Sequence, residues 1–178
     1  DRRHLLGTCF LLLLAGIDTT WSAIGSSLWH LATHPEDQAR LRAEPDLIDS
    51  AVEELLRVYS PVTMAREVIA DVEVAGCPMK PGDKVLMSFP AANRDPAHFE
   101  KPDEFIIDRE RNRHVAFGSG IHRCLGSNLA RMELRVAIEE WLTRIPTFEL
   151  ADPAAVTWTG GQVRGPRTIP VRWSVTQP

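Results

Sequence analysis

The chain has 178 residues, 44% of them hydrophobic and 25% charged, a globular composition that excludes a disordered or fibrous chain and suits one domain or a large part of one. Its formal net charge of -4 is too small to argue for a nucleic-acid partner or an anionic membrane surface. The three cysteines, Cys9, Cys77 and Cys124, are odd in number and far apart, which argues against a disulfide framework and for a reducing, cytoplasmic setting.

In chain order, residues 4–33 read as one long helix, with Leu5, Leu6, Phe10, Leu13, Ile17, Trp21, Ile24, Leu28 and Leu31 at helical spacing. Its apolar run from Cys9 to Ile17 is closed by Asp18, short of the ~20 residues a membrane span needs, so no membrane is expected. Nothing after Asp1-Arg2-Arg3-His4 looks like a secretory cleavage site. Apolar residues cover so much of this helix that it needs neighbours on all sides. His34-Pro35 ends it. A short helix follows at Glu36–Ala43, then another at Leu47–Tyr59 with Asp46 as N-cap, stopped by Ser60-Pro61. Strands are expected at Arg66–Ala70, Val72–Val74 and Lys84–Phe89, with turns at Ala75-Gly76 and Pro81-Gly82. Residues 90–123 form a long irregular stretch, of the kind usually kept for function. A last helix starts near Cys124 and buries Leu125, Leu129, Met132, Val136 and Trp141. A turn at Gly160-Gly161 and a strand at Ile169–Trp173 close the chain. The fold class is mainly α with small β-sheets (α+β).

The chemistry concentrates in Phe117-Gly118-Ser119-Gly120-Ile121-His122-Arg123-Cys124-Leu125-Gly126. Two glycines two apart let the backbone turn tightly and approach a flat object. A cysteine where coil becomes helix is favoured as thiolate by the helix N-terminus. Gly126 leaves room for a bulky planar group, and Ala130, a turn later, is also small. Zinc or iron–sulfur sites need more thiolates at closer spacing, and the C-x-x-C-H pattern of covalent haem attachment is absent. Cys9 and Cys77 read as small buried hydrophobes.

This loop resembles the haem-binding loop of cytochromes P450, F-G-x-G-x-H/R-x-C-x-G, at every fixed position. Two further motifs stand in the order that family has. Ala15-Gly16-Ile17-Asp18-Thr19-Thr20 is similar to the A/G-G-x-D/E-T motif of its long distal helix. A small pair there leaves space for a diatomic ligand. An acid beside a hydroxyl in an apolar helix is costly unless used and can relay protons; alternatively the motif marks a helix kink, or Thr19 bonds back to its own helix. Glu54-Leu55-Leu56-Arg57 matches E-x-x-R, an ion-pair spacing common on any helix. In the family this pair joins an arginine from the coil, a position that Arg109 fits better than Arg94.

The resemblance implies the later half of a cytochrome P450 fold, from the distal helix to the C-terminal strands. Residues 1–178 would be the C-terminal part of a single haem domain whose N-terminal part is absent. The implied cofactor is haem b (iron protoporphyrin IX), with Cys124 as axial ligand of the iron and Phe117, Gly118, Gly126 and Ala130 shaping its seat. Arg66 and His122 match positions that meet the haem propionates, while His114 has no matching role. Asp18 and Thr19 would be catalytic, with Ala15, Gly16 and Thr20 beside the oxygen site. Val62, Thr63, Met64, Ala65 and Val163 would line the substrate pocket. The implied activity is a monooxygenase that inserts one atom of O2 into a small apolar substrate. Its electrons would come ultimately from NAD(P)H through a ferredoxin or flavodoxin and its reductase, or through a fused reductase, since the run Trp21–Pro35 resembles self-sufficient bacterial P450s fused to a flavin and iron–sulfur reductase. Arg111, Arg113, Arg123, Arg131 and Arg135 would dock an acidic electron donor if they share one face. The rival readings are a peroxide-driven peroxygenase and a non-catalytic haem-binding fragment. A cysteine hydrolase is disfavoured because His122 lies too close to Cys124 to be set freely as its base.

Overall fold

Helix α1 spans Arg2–Thr33 and starts at Asp1, whose carboxylate accepts the His4 N–H at 2.8 Å. A computed structural model describes residues 1–174; residues 175–178 of the expected single domain lie outside the described residues. Pro35 opens α2 (Pro35–Ala43) directly after α1. A 3-10 turn over Pro45–Leu47 leads into α3 (Ile48–Val58). Asp46 therefore lies inside that turn and caps nothing, because Pro45 starts the coil one residue ahead of it.

Among the described residues, four antiparallel two-stranded ribbons and two more α-helices follow. Strand β1 (Thr63–Glu67) pairs with β4 (Lys84–Ser88), and β2 (Val72–Val74) with β3 (Cys77–Met79). The first strand begins earlier than Arg66 because the chain after Ser60-Pro61 is held extended from Val62 on. It bridges Val163 there, and the Thr63 N–H donates to the Gln162 carbonyl at 2.9 Å. Helix α4 (Phe89–Ala92) is a single turn inside the expected coil, and α5 runs Ser127–Arg144. Strand β5 (Phe148–Leu150) pairs with β8 (Val171–Trp173), and β6 (Thr157–Thr159) with β7 (Gly165–Thr168).

The core lies where the end of α1, α2, α3 and α5 meet, around Leu31, Leu41, Ala51, Leu55, Ile138 and Phe148. Polar side chains tie its edges. Gln38 donates to the Leu31 and Phe148 carbonyls, both at 3.0 Å, and accepts the Phe148 N–H at 3.1 Å, joining α2 to β5. Arg42 donates to the Leu142 carbonyl and to the Ile145 carbonyl at 2.8 Å, satisfying the open end of α5. His30 is wholly buried between Tyr59 and Asp37, each at 2.8 Å. An ionised Asp37 only accepts, which puts the ring proton on Nε2 and leaves Nδ1 to accept from the Tyr59 hydroxyl. Burial, and then the neighbouring charge of His34, lower the His30 pKa to about 3.

Two apolar surfaces stay open. The first two thirds of α1 expose Leu5, Leu6, Phe10, Leu13, Leu14 and Trp21. By length and composition alone α1 could also cross a membrane, a test that core helices pass too. Its last dozen residues are packed: Ser26 and Ser27 turn their hydroxyls back onto the Ser22 and Ala23 carbonyls at 2.8 Å. Strand β7 approaches α1 at Ser22 so closely that a Cβ on Gly165 would lie 2.5 Å from that of Ser22. The second open surface corrects the expectation for the last helix: Leu125, just ahead of α5, and Leu129, Met132 and Val136 on it are exposed, while Leu134, Ile138 and Leu142 face the core. The helix carries two apolar stripes, and only one finds its partner within this chain. Cys9 and Cys77 are exposed rather than buried. Cys9 stands on the open half of α1, and Cys77 in a ribbon too short to cover it.

Candidate haem-thiolate site

The cysteine loop is shaped by its backbone. Gly118 and Gly120 have φ of 69° and 63°, a left-handed conformation that costs a side chain dearly. The Gly118 N–H donates to the Val115 carbonyl at 2.8 Å, that of Arg123 to Gly120 at 3.1 Å, and that of Cys124 to Phe117 at 2.9 Å. The last bond closes the loop and presents Cys124 outward.

Helix α5 begins only at Ser127, with Gly126 as its N-cap. Cys124 thus stands two residues ahead of the N-cap, and its amide, which the helix does not need, closes the loop. The thiol is free and exposed between Ile121 and Leu125, which are 97% and 88% exposed. A Cβ on Gly126 would lie 4.0 Å from the Cys124 sulfur, so glycine keeps the space beside the thiol open.

The haem fits this arrangement. Among the described residues no three His, Cys, Asp or Glu side chains gather as a metal cage. A metal held by Cys124 must bring its own remaining ligands, and the bare apolar side chains of Ile121 and Leu125, near Cys124 in sequence, suit a flat apolar macrocycle.

A buried triad anchors the coil leading to the loop. Glu54 and Arg57, both with no side-chain exposure, form a fork at 2.8 Å. Arg109 Nε reaches the same carboxylate at 3.0 and 3.1 Å, the Ile106 N–H at 2.9 Å and Asn112 Nδ2 at 3.0 Å. Burial alone would raise the Glu54 pKa; the bonds from Arg57, Ile106 and Arg109 outweigh it and hold the carboxyl below its usual range. Arg57 donates in turn to the carbonyls of Asn93, Pro102 and Glu104 at 2.7–2.8 Å. Arg94 stands apart, on Asp103 at 3.1 Å.

The other candidate residues are more loosely placed. On α1, Ala15, Gly16 and Asp18 are exposed, while Thr19 and Thr20 are half-buried. Asp18 thus bears no burial cost within this chain. The Thr19 hydroxyl donates to the Ala15 carbonyl at 2.7 Å, which uses its proton and leaves its lone pairs able to accept. Arg66, exposed on β1, donates to the Ala65 carbonyl at 2.9 Å. His122 is exposed in the loop's 3-10 turn, and Ala130 is half-buried one turn into α5. Val62, Thr63 and Met64 are half-buried and Ala65 is exposed. The Val62–Val163 bridge and the Arg164 N–H donating to Pro61 at 2.7 Å clamp the C-terminal turn against this segment.

Sequence reasoning missed several supports. His114 is not free coil: its side chain is 2% exposed and meets Glu53 at 3.1 Å. Glu53 in turn takes Arg131 at 2.5 and 3.0 Å. Buried Asn93 accepts the Val115 N–H at 2.8 Å and donates to Ser60 at 2.6 Å. Of the five clustered arginines, Arg131 and Arg135 are engaged with acids on α3 and α5, whereas Arg111, Arg113 and Arg123 make no ion pair among the described residues. The adjacent acids Glu53-Glu54 were the one signal available for these partners.

The cytochrome P450 family model matches residues 1–153. The chain is 47% identical over 174 residues to cytochrome P450 105C1 of a Streptomyces species, covering 96% of this chain and 46% of that protein. It is 42% identical over 177 residues to the vitamin D3 dihydroxylase of Streptomyces griseolus, covering 97% and 44%. Among solved structures, the bacillaene polyketide synthase cytochrome P450 PksS of Bacillus subtilis superposes with a TM-score of 0.92 at 41% identity, covering 96% of this chain and 45% of that one. CYP109E1 of Bacillus megaterium in complex with testosterone gives 0.93 at 36% identity, covering 98% and 49%. The chain belongs to the cytochrome P450 family and has its fold. It spans less than half the length of the curated relatives quoted.

Proposed function

We propose that this chain is the C-terminal part of the haem domain of a bacterial-type P450 monooxygenase, with haem b on Cys124. The observation that carries the reading is the free Cys124 thiol, presented by a glycine loop between bare Ile121 and Leu125. Haem bound there would supply the chemistry that splits O2, one atom entering the substrate and the other leaving as water. Cys124 serves as the thiolate. The Glu54–Arg57–Arg109 triad keeps the coil before it in place. Arg66 and His122 are the hydrogen-bond donors for the propionate carboxylates. Asp18, exposed to solvent, exchanges protons with it, and Thr19, its own proton held on Ala15, offers its oxygen as a hydrogen-bond acceptor in the network that would surround the oxygen site. Val62, Thr63, Met64, Ala65 and Val163 offer an apolar lining, so the substrate is a small apolar molecule. Arg111, Arg113 and Arg123 are cations for an acidic donor, a ferredoxin or flavodoxin with its NAD(P)H-dependent reductase, in the cytoplasm. The test is turnover with reductase and NAD(P)H against turnover with peroxide alone. Product in the first and little in the second supports the reading; the reverse makes the protein a peroxygenase.

A second reading applies to the isolated chain. The open faces of α1 and α5 favour a fragment that does not assemble its haem site unaided. Haem stoichiometry after reconstitution of residues 1–178, beside the protein from its complete native reading frame, decides between them.

A further inference from the structure

Beside the cysteine loop lies an open cleft of about 370 Å³, lined by Glu53, Arg131, His114, Phe117, Gly118 and Gly120 among others. The loop is therefore little packed on this side. Polar ties hold it instead, and they converge on one carboxylate. Glu53 sits on α3 next to Glu54, and it accepts Arg131 Nε and Nη2 at 2.5 and 3.0 Å and His114 at 3.1 Å.

Each partner passes the constraint to the loop. His114 Nδ1 accepts the Ala116 N–H at 3.2 Å, which puts the ring proton on Nε2, donating to Glu53. The Arg131 guanidinium lies over the Phe117 ring, 4.6 Å from its centroid. Phe117 is the residue whose carbonyl takes the Cys124 N–H.

We propose that Glu53, His114 and Arg131 form a positioning unit that fixes residues 114–117 and so keeps Cys124 oriented as the thiolate ligand. The inference rests on the haem-thiolate reading above. One turn of α3 then does two jobs: Glu54 holds the coil that approaches the loop, while Glu53 holds the base of the loop itself. The charge state agrees with the role. Burial would raise the Glu53 pKa, but the bonds from His114 and Arg131 and the charge of Arg131 lower it to about 2, so the carboxylate accepts from both partners across the range in which the protein works. None of the three touches the reacting atoms; each acts through Phe117 or Ala116.

The test uses the haem-loaded protein from its complete native reading frame, with Glu53→Gln, Arg131→Lys and His114→Gln. Gln keeps the shape of Glu53 but can accept only at its single oxygen, and Lys has neither the fork nor the flat face. The ferrous carbon monoxide spectrum and the haem reduction potential are read well below the unfolding temperature, with haem loss to apomyoglobin alongside. We expect a bluer, non-thiolate band to grow at the expense of the far-red one in all three variants, a shifted potential, and haem loss faster by roughly tenfold, as for other residues that orient a metal ligand. Arg131→Lys should be worse than Glu53→Asp, which restores the charge. A role in stability alone would lower the unfolding temperature while leaving band and potential at wild-type values, and that result overturns the proposal. If a variant is not recovered folded, Glu53→Asp and Arg131→Gln are read in its place against the same two outcomes. A wild-type protein lacking the far-red band would sink the haem-thiolate reading first, and this inference with it.

Discussion

Replacing Glu54 by Gln should destabilise the protein by about 4 kcal/mol. Gln has the same shape but one acceptor oxygen, and its amide would face Arg57 or Arg109 donor to donor. Both Glu54 and Arg57 are without side-chain exposure, so Arg57 would keep a full charge with no counter-ion. Breaking one member of such a buried pair costs about 3–5 kcal/mol, against a typical total of ~5–15 kcal/mol. The Ile106 N–H and Asn112 amide also lose part of their acceptor. These losses overlap, so they are not summed on top. Removing the stranded charge with Arg57→Met should not rescue the variant, because Arg57 also donates to the Asn93, Pro102 and Glu104 carbonyls. Urea unfolding of both variants at neutral pH measures the loss, and limited proteolysis locates it. Cleavage should rise within residues 94–116, the segment the triad holds. A loss under about 1 kcal/mol, with that segment as resistant as in wild type, would refute the reasoning.

Three further outcomes follow from the geometry. His30 is neutral in the fold with a pKa of about 3, whereas the unfolded chain takes up its proton near 6.5. A lowered histidine pKa gives stability that is full above about pH 6.5 and lost as pH falls towards 3, by about 2 kcal/mol at pH 5. Unfolding at pH 7 and pH 5 of wild type and His30→Gln checks this; parallel losses in the two proteins would contradict it. Gly165→Ala should cost about 1–3 kcal/mol by overpacking, since its new Cβ would meet the Ser22 backbone and side chain at 2.5–2.9 Å; thermal unfolding reads it, with Gly160→Ala, in open space, as control. Residues 1–178 alone should bind the dye ANS more strongly than the complete protein, because the apolar faces of α1 and α5 are bare; equal binding would mean those faces stay uncovered in both.

The cysteine loop was legible because its requirements are local. Gly118 and Gly120 need positive φ, and Cys124 must stand two residues ahead of Gly126. The helices were legible for the same reason, down to the stop at Pro35. What escaped notice depends on distance in sequence. His114 reads as polar coil until Glu53, 61 residues earlier, is placed beside it, and the need for Gly165 appears only when β7 lies on Ser22. The misread face of α5 has another cause. Leu125, Leu129, Met132 and Val136 keep helical spacing as well as Leu134, Ile138 and Leu142 do. Periodicity identifies an apolar stripe without saying whether its partner belongs to the same 178 residues. The early start of β1 at Thr63 was missed because the Val62–Val163 bridge holds the chain extended there, and no short-range pattern reports that bridge.

Whether Cys124 holds the iron as a thiolate is read most directly from the carbon monoxide difference spectrum of the dithionite-reduced, haem-supplied protein from its complete reading frame. A Soret band at the far-red position of thiolate-ligated ferrous haem, abolished by Cys124→Ala, is the predicted result. Bound haem that gives only the bluer band of histidine or protonated-thiol ligation, or a far-red band that survives Cys124→Ala, would contradict it.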